Sequence, residues 1–240
     1  LYFKWTKEGR IINKQNDDYL REYNHIKEKQ IIGVELDEDM FALAFSNMIL
    51  HGDGRSNLYK GNSFDNFEVE VDENGKSIKF EDKIKELQPN KALMNPPYND
   101  DAAPSFILRL IQLLKIAGNG TRTACIIAPS NCLKKKPEIT KEIFKLAKLK
   151  TVIDMNVGLF SSQKISAKTS IFIFDVGQQH AGETYFYDFK NDGWRTKYGR
   201  EKGKFECFLD EYKIDTINGD QKIISQYKID AEQNSLLIDF

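Results

Sequence analysis

Two consecutive prolines, Pro96 and Pro97, follow the apolar run Ala92-Leu93-Met94 and dictate where that run must end. Proline holds φ at roughly −65° and carries no amide hydrogen, so two in succession cannot continue a central strand. The run therefore reads as a strand over residues 91–94 that stops at Asn95. Past the stop, the Asn95 side chain and the Asn95 and Pro96 carbonyls are acceptors with no obvious ladder partner. Tyr98 adds an exposed aromatic beside them, its ring ready to stack on a flat base and its hydroxyl facing water or a ligand. An exocyclic amine on a planar base would meet both features. The same four residues also make an ordinary strand-ending turn with asparagine as its cap, because all three residue types are common in turns.

The rest of the chain supplies an α/β frame for that turn. Residues 31–36 are apolar but for Glu35, as a strand buried in a parallel sheet should be. Met40, Leu43, Ala44, Asn47 and Met48 then recur at helical spacing over 37–50, and His51-Gly52-Asp53-Gly54 ends the helix. A second strand is expected at 58–62. Residues 66–90 read as a small hairpin insertion turning at Glu73-Asn74-Gly75-Lys76. After the motif come a helix at 103–117, a strand at 124–128, a helix at 137–149, and strands at 151–155, 169–176 and 183–189. Alternating strands and helices imply a mostly parallel sheet, and the last two strands, close in sequence, an antiparallel edge hairpin. Residues 1–30 are charged and aromatic, and the sequence beyond Lys190 is polar and turn-rich without a clear period.

Composition narrows the function classes. With 35 basic against 36 acidic residues there is no global positive field, so any nucleic-acid contact falls to local clusters: lysines 134–136, Arg195, Lys197, Arg200, Lys202 and Lys204. Such charge runs are usually solvated faces. Cys125, Cys132 and Cys207 have neither a disulfide framework nor metal-ligand spacing, which suits reduced thiols in the cytoplasm. The longest apolar stretch, 106–116, is interrupted by Arg109, Gln112 and Lys115, too short and charged to span a bilayer. Leu1 opens the chain without methionine or a signal-peptide core, and the sequence reads as a fragment.

Asn95-Pro96-Pro97-Tyr98 resembles the catalytic motif of amino-methyltransferases acting on adenine N6, cytosine N4 or protein glutamine. The segment from Ile31-Ile32-Gly33-Val34-Glu35-Leu36-Asp37 through Gly61-Asn62-Ser63-Phe64 resembles the modification subunit of type I restriction-modification systems, an N6-adenine DNA methyltransferase. The likeness runs over about residues 28–192. It implies a Rossmann-like, S-adenosylmethionine-dependent methyltransferase fold, N-terminally truncated, over 1–190, with 191–240 as an appendage.

The resemblance also distributes roles. Glu35 would accept the cofactor ribose hydroxyls, while the helix-terminal acid is better sought in Asp37 or Glu38. Asn62, where the family carries an acid, would read the cofactor adenine more weakly, with Asp65 as a competitor and Ser63 beside it; Phe64 lines the adenine or belongs to the core. Asn95, Pro96, Pro97 and Tyr98 would hold a flipped adenine of duplex DNA during direct methyl transfer, without a covalent intermediate. Phe160 falls among the family's late motifs. A DNA specificity subunit and a restriction subunit are the implied partners. Residues 1–30 contain only Gly9, so the first strand and glycine-rich turn of the family are missing and the fragment alone is expected to be inactive. Two alternatives remain: the same domain in a type II restriction-methylation polypeptide, or a noncatalytic DNA-docking module.

Overall fold

A computed structural model describes residues 17–51, 57–98, 101–155 and 168–188, together with the backbone of 194–195 and 201–202. The chain forms two compact units, Leu1–Pro89 and Asn90–Phe240.

In the first unit, helix α1 (Asp17–Lys29) precedes strand β1 (Ile32–Glu35), helix α2 (Glu38–Leu50) and strand β2 (Asn57–Lys60). β1 and β2 pair in parallel, from Ile32 opposite Asn57 to Glu35 opposite Lys60. This is the expected strand-helix-strand unit. Asp37 caps α2, its Oδ1 accepting the Met40 amide at 2.9 Å. α2 is apolar, yet Met40, Leu43, Ile49 and Leu50 stand exposed on it, as does Leu36 just before it.

The hairpin forms from β3 (Glu68–Val71) and β4 (Ser77–Lys79). Its turn is set by Asp72, whose Oδ1 accepts the Asn74 and Lys76 amides, while Gly75 takes the left-handed conformation at φ 78°. The sequence reading missed helix α3 (Phe80–Leu87), which buries Phe80, Lys83 and Ile84. The i, i+4 pair Phe80 and Ile84 was the available signal, hidden by the surrounding charge.

The second unit is built on a five-stranded sheet ordered β5-β6-β8-β7-β9, from β5 (Lys91–Met94), β6 (Arg122–Pro129), β7 (Ala147–Asp154), β8 (Thr169–Val176) and β9 (Tyr185–Asp188). β5 and β6 are parallel, β8 runs antiparallel to both β6 and β7, and β9 is parallel to β7. Four of five strands thus share a direction. The expected edge hairpin of the last two strands does not form. β8 lies inside the sheet, and residues 177–184 carry the chain across the start of β7 to its far edge. His180 donates its amide to the Phe144 carbonyl at 2.7 Å, its ring Nδ1 accepts the Leu149 amide at 3.2 Å, and Thr184 Oγ1 donates to the Leu149 carbonyl at 2.8 Å.

Helices α4 (Ala103–Ile116), α5 (Cys132–Lys135) and α6 (Pro137–Leu146) accompany the sheet. Ile107, Ile111 and Leu114 of α4 and Ile143 of α6 pack with Ala124, Ile126, Leu149, Phe172 and Phe174 in one core. Alternation along β8 puts Phe172, Phe174 and Val176 on this covered side. The helix expected at 137–149 stops at Leu146, because Ala147 already pairs with Val176. Arg122, 6% exposed, donates to the carbonyls of Gly118, Asn119 and Gly120, satisfying backbone groups of the loop that follows α4.

Candidate functional site

Glu35 is the last residue of β1, half-buried at the carboxyl end of its strand. Its Oε1 accepts the Asp37 amide at 2.9 Å, and its other oxygen makes no further bond among the described residues. Lys60, opposite Glu35 in the ladder, instead pairs with Glu38 at 2.8 Å, an interaction that lowers the Glu38 carboxyl. Helix capping falls to Asp37. Glu35 therefore keeps an acceptor oxygen at the strand end, with no ion-pair partner among the described residues.

Gly61 brings Asn62 to the same place by donating its amide to the Glu35 carbonyl at 2.9 Å. A side chain at Gly61 would meet the Phe67 ring at 2.4 Å, so only glycine permits this approach. Asn62 is half-buried in a tight turn: its Oδ1 accepts the Phe64 amide at 3.1 Å and its carbonyl accepts the Asp65 amide at 2.9 Å. One lone pair of Oδ1 is thus used and one remains. Ser63 is half-buried, and Phe64 is 41% exposed, which removes it from any core. A carboxylate at one strand end beside an amide and a hydroxyl at the next is a donor and acceptor set that fits a ribose and an amino-purine.

A charged network braces this unit. Tyr59 donates to Glu70 at 2.7 Å, and Lys83 bridges Glu70 at 3.0 Å and Glu86 at 3.1 Å. Burial and the Glu70 carboxylate push the Tyr59 phenol well above its ordinary range. Burial alone would raise the Glu70 carboxyl, but the bonds from Tyr59 and Lys83 outweigh it and the net shift is downward.

In the second unit Asn95 is exposed directly after β5, Pro96 is buried and Pro97 is exposed. Tyr98 departs from expectation. It is half-buried, and its hydroxyl is shielded from solvent. Burial pushes the phenol up, and the Asn95 side chain works the other way.

Cys132 is buried, and burial raises the half-buried Cys125 thiol, so neither is presented as a nucleophile. Lys134 and Lys135 are exposed on α5 and Lys136 is half-buried. Phe160, Lys197, Arg200, Lys204 and Cys207, with the side chains of Arg195 and Lys202, lie outside the described residues.

The sequence profile of the N-6 DNA methylase family matches residues 9–221. The chain belongs to this family. It is 31% identical over 242 residues to the type II restriction enzyme and methyltransferase RM.BcgI of Heyndrickxia coagulans, covering 91% of this chain and 34% of that protein. The fold is similar to that of the type I restriction enzyme EcoKI M protein, with a TM-score of 0.60, 14% identity, and 89% of this chain against 44% of the other. A modification subunit of a putative type I restriction enzyme from Vibrio vulnificus YJ016 gives a TM-score of 0.57 at 18% identity, covering 88% of this chain and 44% of that one. The chain spans about a third of the curated relative and under half of either solved protein. S-adenosylmethionine is the methyl donor that goes with this family, and the donor set at Glu35, Asn62 and Ser63 fits its adenosine half. Among the described residues no helix is long and apolar enough to cross a membrane.

Proposed function

We propose that the protein carrying this chain transfers a methyl group from S-adenosylmethionine to N6 of adenine in duplex DNA. The observation that carries the reading is the exposed Asn95 at the carboxyl end of β5, followed directly by the buried Pro96. Ligands of open α/β sheets bind outside the carboxyl ends of the strands.

Bound S-adenosylmethionine supplies an electrophilic methyl group. Glu35 accepts hydrogen bonds from the ribose hydroxyls, while Asn62 and Ser63 contact the adenine of the cofactor. Asn95 Oδ1 and the Pro96 carbonyl accept the two hydrogens of the target N6, which directs the nitrogen lone pair outward and stabilises positive charge as it develops. The target base leaves the duplex, because N6 is out of reach while stacked, and the Tyr98 ring packs against it. Pro96 and Pro97 keep the carbonyls in place through their fixed φ.

Duplex DNA, a specificity subunit and a restriction subunit are the partners that accompany a type I reading. A second reading, with modification and restriction in one polypeptide, is favoured by the 31% identity to a type II enzyme of that kind. Asn95→Ala in the intact protein is the test. Single-turnover methyl transfer should fall by about 100-fold or more, the scale of losing one transition-state hydrogen-bonding group. Cofactor affinity by calorimetry should stay within about twofold, since Asn95 acts on the target amine. Retained turnover in Asn95→Ala would overturn the assignment.

A further inference from the structure

A hydroxyl-carboxylate cluster that the proposed roles do not use stands at the carboxyl edge of the same sheet. Ser170 Oγ lies 2.7 Å from Ser130 Oγ and 2.5 Å from Asp154 Oδ1, and Lys168 Nζ lies 2.7 Å from Asp154 Oδ2. Ser130 follows β6, Asp154 ends β7, and Ser170 sits near the start of β8, opposite Ala128 on one side and Asp154 on the other. The Ser130 amide donates to the Lys168 carbonyl and the Met155 amide to the Thr169 carbonyl, both at 3.0 Å.

Hydrogen-bond chemistry gives this chain of groups a direction. The Asp154 carboxylate, paired with Lys168, can only accept, so the single Ser170 hydrogen goes to Asp154. The 2.7 Å contact then requires Ser130 to donate to Ser170. Having spent its hydrogen inward, half-buried Ser130 offers only acceptor lone pairs outward.

Ser170 is 0% exposed and Thr169 1%, and the Thr169 hydroxyl is buried with no hydrogen-bond partner among the described residues. Buried polar groups cost more than apolar ones of similar shape unless fully satisfied, while a connected network enforces a unique geometry. The geometry here fixes a lone-pair direction beside the proposed site. β6 adjoins β5, Met94 pairs with Ile126, and Asn95 therefore lies about three residues short of the level of Ser130. One strand spacing across and three residues along put their backbones roughly 11 Å apart, a distance a flipped nucleotide with its sugar can bridge.

We propose that Ser130 is a contact for an N–H donor of the nucleic-acid substrate beside the target base, and that Ser170 and Asp154 are positioning residues that make its hydroxyl an acceptor. The inference rests on the DNA-methylase reading above. The test measures kcat and KM for duplex DNA, cofactor affinity and melting temperature in the intact protein, for Ser130→Ala, Ser170→Ala, their combination, and Asp154→Asn against Asp154→Ala. Ser130→Ala should raise the KM for DNA or lower kcat by about tenfold, the scale of one lost hydrogen bond, with cofactor affinity and melting temperature little changed. Because Ser170 acts through Ser130, the double variant should be no worse than Ser130→Ala alone. Asp154→Asn, which keeps an acceptor oxygen, should retain more activity than Asp154→Ala. Unchanged kinetics in Ser130→Ala, or losses in the double variant that simply add, overturn the proposal. An unsubstituted protein that transfers no methyl to DNA refutes the underlying reading, and this inference with it, before any variant is compared.

Discussion

At the scale of residues, the two candidate half-sites are defined by what each polar atom is already committed to. Asp37 takes the α2 cap, Lys60 takes Glu38, and Glu35 is left at a strand end with one carboxylate oxygen unbonded among the described residues. If that oxygen holds ribose hydroxyls, Glu35→Ala should weaken S-adenosylmethionine binding in the intact protein by about 1–3 kcal/mol, the scale of charge-assisted hydrogen bonds. Calorimetry checks this, and unchanged affinity would return Glu35 to bracing the Asp37 amide. The residue types of this site were legible in sequence because each is chemically distinctive and follows a strand end. The partners were not. Whether the Tyr98 hydroxyl is shielded, or Phe64 exposed, depends on how the chain folds back over a turn.

At the scale of elements, the hairpin β3-β4 is tied to β2 through Tyr59 and to helix α3 through Lys83, and Phe80 of α3 stacks on Phe67. Glu70 is the hub, receiving Tyr59 and Lys83. Its folded carboxyl titrates below its unfolded value, so its contribution is fully present above about pH 4.5 and is lost as pH falls through the folded value. Lys83 shows the opposite sign: burial lowers its ammonium, but Glu70 and Glu86 raise it further, so its contribution fades as pH rises through the elevated folded value. Thermal melting across pH should therefore show a steeper acid-side loss in the natural sequence than in Glu70→Gln. Equal slopes would exclude the hub role. Arg122 holds the loop after α4 by three carbonyl contacts, and Arg122→Met should cost about 1.5–3 kcal/mol in denaturant unfolding, the range for a hydrogen-bonded charged group.

At the scale of the molecule, two compact units carry the two groups of candidate residues, Glu35, Asn62 and Ser63 in one and Asn95 to Tyr98 in the other. The chain spans 34% of its curated relative, and the candidate cofactor residues Glu35, Asn62 and Ser63 all address the adenosine half. The isolated chain should therefore bind S-adenosylmethionine at least about tenfold more weakly than the intact protein. Contacts to the adenosine half alone must offset the whole loss of translational and rotational freedom, several kcal/mol. Parallel calorimetric titrations of the two decide it, and equal affinities would show that this chain holds the complete cofactor site.

The sequence alone determined whatever depends on neighbours along the chain. The Pro96-Pro97 stop, the Asp72 to Lys76 turn with its left-handed Gly75, the Asp37 cap and the strand-helix alternation follow from φ restriction and hydrogen bonds a few residues apart. Tertiary structure decided the order of the strands and every contact that order creates. The alternation of Phe172, Phe174 and Val176 looks the same whether β8 lies at an edge or between β6 and β7. Only the path of residues 177–184 across β7 sends β9 to the far side. Ser130, Asp154 and Ser170 come from the ends of three strands, Ser130 just past β6, and show no spacing that links them. Their network exists because register aligns three strand ends, and register is a property of the assembled sheet rather than of any segment within it.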